Sequence, residues 1–112
     1  MLSKKDVIEI SRNFSIGTFI NESSLDYAIK EIEQSRNWLR SAAVLTRAVL
    51  IDHVFEDGNK RTSAAIIMLL MESGAVCYNP EKIPKIIVTI LKKNMTRIPR
   101  IERCIKDAVR YP

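Results

Sequence analysis

Eight consecutive apolar residues, Ala64 to Met71, lie inside a segment with the marks of a helix. Asn59 can cap its start, and Gly74 can end it as the first residue past the helix, which gives Lys60 to Ser73 as the helical span. A helix that is apolar on every side has no face to offer water, so this one belongs in the middle of a fold. The run is far too short to cross a bilayer. A second such segment runs from Arg36 to Asp52. Trp38, Ala42, Leu45 and Val49 form its stripe, and Leu39, Ala43 and Leu50 widen it around most of the girth. Two helices of this kind form a central buried pair, and the rest of the chain must cover them.

The covering elements read as helices too. Ser3 followed by Asp6 resembles a capping box, and Val7, Ile8, Ile10 and Phe14 follow at helical spacing, which predicts a helix over Ser3 to Phe14. The stretch Ser15 to Asn21 breaks the pattern with a glycine and β-branched or aromatic residues, and it reads as an extended loop. Ser23 or Ser24 then caps a helix with Leu25, Ala28, Ile29 and Ile32 on one face. Asn79-Pro80 opens a fifth helix carrying Ile83, Ile86, Ile87, Ile90 and Leu91. Its run from Ile86 to Ile90 could also be a strand, but the helical spacing continues beyond it. Thr96 to Pro99 breaks the chain, and Arg100 to Arg110 forms a last helix with Ile101, Cys104, Ile105 and Ala108 facing inward. The expected fold is all-α, one domain over residues 1–112.

Eighteen basic residues against thirteen acidic ones give a net charge of +5, which favours phosphate-bearing or acidic partners. The charges are spread along the chain and aromatic residues make up only 6%, so no stacking platform for bases is visible and a nucleic-acid partner is not expected. Cys77 and Cys104 stand far apart, and with one histidine in the chain a zinc site is not expected either. Reduced thiols and no visible leader segment suit a cytoplasmic protein without a membrane anchor.

Between the two buried helices lies His53-Val54-Phe55-Glu56-Asp57-Gly58-Asn59-Lys60-Arg61-Thr62. Imidazole is the side-chain type whose ordinary pKa suits a general base near neutrality, which makes His53 the candidate base. Asp57 is a hard oxygen ligand, suited to a magnesium ion that keeps several waters. Gly58-Asn59 can turn the backbone so that successive amides face one concavity, a nest for an anion. The loop feeds a helix N-terminus that also favours phosphate, and Lys60 and Arg61 add two positive charges beside it. Read singly, these residues are a helix-end histidine, a turn, a cap and two solvated cations. Gathered within nine positions, they form the parts of a phosphoryl-type transfer site. No P-loop pattern is present, and the glycines are too few for a dinucleotide fingerprint.

The segment His53 to Arg61 resembles the Fic/Doc signature H-x-F-x-[DE]-G-N-x-R at all six defined positions. The helix order also fits, so the resemblance extends over nearly the whole chain, although outside the motif it is weak. It implies an all-helical fold and transfer of a phosphate-containing group from a nucleotide, usually ATP, to a hydroxyl of a target protein. On this resemblance His53 is the base that deprotonates the hydroxyl, and Phe55 anchors the loop in the core. Asp57 is the magnesium ligand, Gly58 and Asn59 form the anion hole, and Arg61 clamps phosphate with Lys60 beside it. The extended loop, with Gly17, Thr18, Phe19 and Ile20, resembles the flap with which family members hold a target segment by strand-like pairing.

Many Fic adenylyltransferases carry glycine where this chain has Lys60 and a second arginine where it has Ala64. The tract Asn59-Lys60-Arg61-Thr62 is closer to the Doc (death-on-curing) branch, although Gly58 stands where that branch often has alanine. Doc-like members are toxins that phosphorylate a translation elongation factor and are restrained by a separate antitoxin. The expectation is therefore a Doc-like protein kinase acting on a Ser, Thr or Tyr hydroxyl, with ATP and Mg2+. A Fic-type adenylyltransferase is the alternative, and a catalytically silent helical binding module is a third reading. Thr18 to Glu22 partly matches the inhibitory pattern [ST]-x-x-x-E-[GN], but Ser23 follows and the arginine it would pair with is Ala64. Inhibition is therefore expected from another protein.

Overall fold

The computed structural model describes residues 2–111. Its first helix, α1, spans Lys4–Ser11 and is held by a reciprocal capping box: the Asp6 amide donates to Ser3 Oγ at 3.2 Å and the Ser3 amide to Asp6 Oδ2 at 2.9 Å. Donation from the Ser3 amide, and then from the Ser3 hydroxyl, holds the Asp6 carboxyl below the usual carboxylate range. The helix stops before Phe14, where the spacing alone had placed its end. The Asn13 side chain donates to the carbonyls of Glu9 and Ile10 and satisfies the helix end there.

Residues 18–21 run extended into α2 (Glu22–Ile32), which buries Leu25, Ala28 and Ile32. Ser23 and Ser24 lie inside its first turn and neither is the cap. That position is held by Asn21, whose amide reaches across the fold to the Asp52 carbonyl at 2.9 Å. α3 covers Trp38–Thr46 and starts later than Arg36, because Asn37 is the cap: its Oδ1 accepts from the amides of Leu39 and Arg40. A π-helical stretch, Arg47–Ile51, carries α3 onward to Asp52. Every residue from Ser41 to Leu50 except Arg47 is buried.

α4 spans Asn59–Ser73 and packs against α1, α3 and α5. It is not enclosed on every side. Leu69 is 39% exposed and Ala64, Ala65 and Met68 are half-buried, so one flank of the apolar run faces outward. At its end Gly74 keeps an ordinary φ of −85°, and Ala75 takes the left-handed conformation with φ 56°. Ala75 and Val76 donate back to Glu72 and Met71, the paired bonds of a Schellman motif. Neither backbone nor space demands a glycine at position 74, since a Cβ there would stand at an ordinary contact distance of 3.5 Å from the Trp38 ring.

A short turn, Pro80–Lys82, leads into α5 (Ile83–Lys92), and α6 spans Ile98–Lys106. Pro84 and Pro99 both sit in first turns, where no amide donor is needed, so α6 begins inside the expected break. The segment Ile86 to Ile90 is helical and buries Ile86, Ile87 and Ile90. The architecture is all-α, with α3 and α4 at its centre and no strands beyond two isolated bridges among the described residues. No helix among them is long and apolar enough to cross a membrane. The radius of gyration is 12.6 Å, close to the roughly 13 Å of a folded 100-residue domain.

Candidate functional site

The π-helical turn at Arg47–Ile51 closes with the Asp52 amide donating to the Arg47 carbonyl at 3.1 Å. Such turns insert one extra residue into a helix and recur beside functional sites. Immediately after it, His53 takes φ 53°, a left-handed conformation rare for a side-chain-bearing residue. The chain thereby leaves the helix abruptly and exposes His53. Val54 and Phe55 then enter the core, both with no exposed surface.

Phe55 is held on two sides. Its ring stacks on Phe19 with centroids 5.3 Å apart, and its backbone forms an antiparallel bridge with Phe19. The amides of Ile20 and Asn21 donate to the Val54 carbonyl, and the Glu56 amide donates to the Thr18 carbonyl at 2.9 Å. These flanking bonds turn the N–H and C=O of Phe19 away from the loop, as strand geometry requires. Ile16 and Ile20 on the same stretch are 84% and 62% exposed.

The turn that follows is braced from inside by Asn59. Its Oδ1 accepts from the Phe55 amide at 3.2 Å, and its Nδ2 donates to the Phe55 carbonyl at 2.8 Å. Asn59 is therefore not the cap of α4 but its first residue. The cap position belongs to Gly58, with φ 73° and ψ 8°. Gly58 has no side chain to occupy the first amides of α4, so they keep their capacity for an external acceptor. A Cβ on Gly58 would meet the Cβ and carbonyl oxygen of Phe14 at 3.3 Å.

Replacing Gly58 with alanine should consequently lower stability by about 1–2 kcal/mol, the cost of a left-handed residue with a Cβ. Denaturant unfolding measures it. A Gly58→Ala protein as stable as the parent would show that the loop can relax around the new methyl group.

An open cleft of about 450 Å³ lies in front of this turn. Five residues singled out in the sequence line it: His53, Gly58, Asn59, Lys60 and Arg61. Three others do so from elsewhere in the chain, namely Phe14, Leu50 and Leu91. Nothing in the sequence ties Leu91 to the motif; only the packing of α5 on α4 brings it there. Asp57 is exposed on the same turn but is not part of the lining, and Phe55 lies beneath the loop in the core. Thr18, Phe19 and Ile20 are joined to the loop along 54–56, Gly17 precedes that pairing, and none of the four lines the cleft. Lys60, Arg61 and Asp57 form no ion pairs. Those found among the described residues are Lys4 with Glu22 and with Asp26.

The arrangement thus sets an exposed imidazole, a helix start without a side-chain cap and two exposed cations around one opening. An anion seated there would meet positive charge and amide donors together, with an acid–base group beside it. As a holder of magnesium, Asp57 supplies one carboxylate, and no cluster of three metal-binding side chains occurs among the described residues. One carboxylate fits a magnesium ion held largely by substrate phosphates and water, rather than by a protein cage. Comparison of the chain with protein-family models, curated proteins and solved structures finds no match.

Proposed function

We propose that this protein transfers a phosphoryl group from ATP to a hydroxyl of a target protein, in the manner of the Doc-like kinases its motif resembles. The observation that carries the reading is the convergence of His53, Gly58, Asn59, Lys60 and Arg61 on one cleft at the start of α4. In this reading His53 takes the proton from the target hydroxyl, whose oxygen attacks the γ-phosphorus as the in-line bond from that phosphorus to the β-phosphate oxygen breaks and ADP leaves. The amides at the start of α4 and the Lys60 and Arg61 side chains hold the phosphate oxygens. Asp57, with the phosphates, would hold Mg2+, which neutralises charge on the nucleotide.

The choice of phosphate over a nucleotide monophosphate rests on where positive charge sits. Lys60 lines the cleft at the loop itself, where a terminal γ-phosphate carries the most negative charge. One turn further along α4, Ala64 offers neither charge nor donor for distal phosphates. The stretch Gly17 to Ile20 supplies a place for the target: the N–H and C=O of Phe19 point away from the loop, and Ile16 and Ile20 are exposed beside them. Glu22 is engaged with Lys4 and lies outside the cleft lining, which supports restraint by a separate inhibitor protein rather than by this glutamate. A cytoplasmic setting suits such a partner and ATP.

The test is to incubate the protein with candidate target proteins and ATP labelled separately at the α and γ positions. Covalent label on protein from the γ position supports the proposal.

A further inference from the structure

The positive charge that looks evenly spread along the chain is concentrated in its C-terminal third. Nine of the eighteen basic residues, but only two of the thirteen acidic ones, lie from Lys82 onward. That segment therefore carries +7 and the remainder −2. Folding gathers the charge further. Between α5 and α6 lies a groove of about 460 Å³ whose rim is Lys82, Lys85, Lys93, Arg100 and Arg103, against the single carboxylate of Asp107. None of the five rim cations has a carboxylate partner among the described residues, and only Lys82 is engaged, donating to the Asp107 carbonyl at 3.4 Å.

The floor is different in kind. It consists of Ile86, Thr89, Met95 and Cys104. The Thr89 hydroxyl already donates to the Lys85 carbonyl, so the floor has no strong free donor. Burial pushes the Cys104 thiol above its ordinary value, so the groove carries no activated nucleophile and is suited to binding rather than chemistry. A small anion would find cations at the rim but nothing to hold it at depth. No aromatic side chain lines the groove, so the bases of a single-stranded nucleic acid have no surface to stack on. The rim cations Arg100 and Arg103 stand three residues apart on α6, about 4.5 Å of helix rise. Carboxylates three or four residues apart on a helix present a comparable spacing.

We propose that the α5–α6 groove is a docking site for an acidic amphipathic helix of a partner protein, carboxylates against the rim and apolar side chains on the floor. The site is separate from the cleft at His53, and binding there does not depend on any transfer activity.

A fluorescent helical peptide of glutamate, leucine and alanine, about four turns long, is the probe, with polyuridine of similar length and tripolyphosphate as competitors. The peptide should bind the full chain, more weakly as salt rises. The double substitution Lys85→Glu with Arg103→Glu should weaken it by about tenfold or more, since attraction is replaced by repulsion at two rim positions. Lys30→Glu, outside the groove, and His53→Ala should leave it unchanged. Circular dichroism checks folding, and Lys85→Gln with Arg103→Gln serves if the reversal disturbs it, again with weakened binding expected. Failure of the peptide to bind, equal binding by the groove variants, or tighter binding of polyuridine or tripolyphosphate would each overturn the proposal.

Discussion

Phe55→Ala should remove about 3–5 kcal/mol of folding stability and transfer activity with it. A domain of this size has roughly 5–15 kcal/mol in all, so the loss is a large fraction of the total. The size of the effect follows from position. Phe55 has no exposed surface and is among the largest fully buried side chains of the chain. It also ties the extended stretch to the turn before α4, since its ring stacks on Phe19 and its backbone is clasped by Asn59. Truncation opens a cavity beneath the loop and releases the extended stretch that pairs with it. Phe55→Leu, which keeps most of the volume, should cost far less than the alanine substitution. Denaturant unfolding of both variants measures the difference, and an unchanged midpoint for the alanine variant would contradict the anchoring role.

His53→Ala should have the opposite profile, with transfer reduced by about 10²–10⁴-fold and the fold intact. His53 is exposed, and its side chain contributes no core packing. Its backbone supplies a further control. At φ 53° a glycine is relaxed where a Cβ-bearing residue is strained, so His53→Gly should be more stable than His53→Ala by about 1 kcal/mol while equally inactive. A glycine variant that gained stability and lost transfer would mark His53 as a residue kept in a strained conformation for its chemistry. Full activity in either variant, or unfolding of the alanine variant, would remove His53 from the role of base.

The helices were legible because their apolar spacing is strong: Ile83, Ile86, Ile87 and Ile90 read as one face from sequence and form one buried face in the fold. Their ends were less so, because the same residue types compete for different partners. Asn21 and Asn37 look alike, yet one reaches across to Asp52 and the other caps its own helix. Asn59 reads as a cap and is instead the brace of the preceding turn, because the cap position is taken by Gly58 in a left-handed conformation. At the other end of α4 the reverse holds: Gly74 reads as the left-handed residue but keeps an ordinary φ, and Ala75 takes the positive φ. In the cleft, the contiguous stretch His53 to Arg61 was visible as a cluster of residue types. Phe14 and Leu91 were not, since tertiary packing alone brings them to that opening. The asymmetry of charge toward the C-terminus was present in the composition all along, but it became a groove only when α5 and α6 were placed side by side.

The central claim is that the cleft at the start of α4 moves the terminal phosphate of ATP onto a protein hydroxyl. Parallel incubations of the parent protein and His53→Ala with target protein, magnesium and ATP labelled at either the α or the γ position test it most directly. The account predicts acid-stable protein label, as a phosphate ester of a hydroxyl gives, from the γ position alone, lost in the His53→Ala reaction. Label arriving from the α position, or γ label undiminished by the substitution, would contradict it.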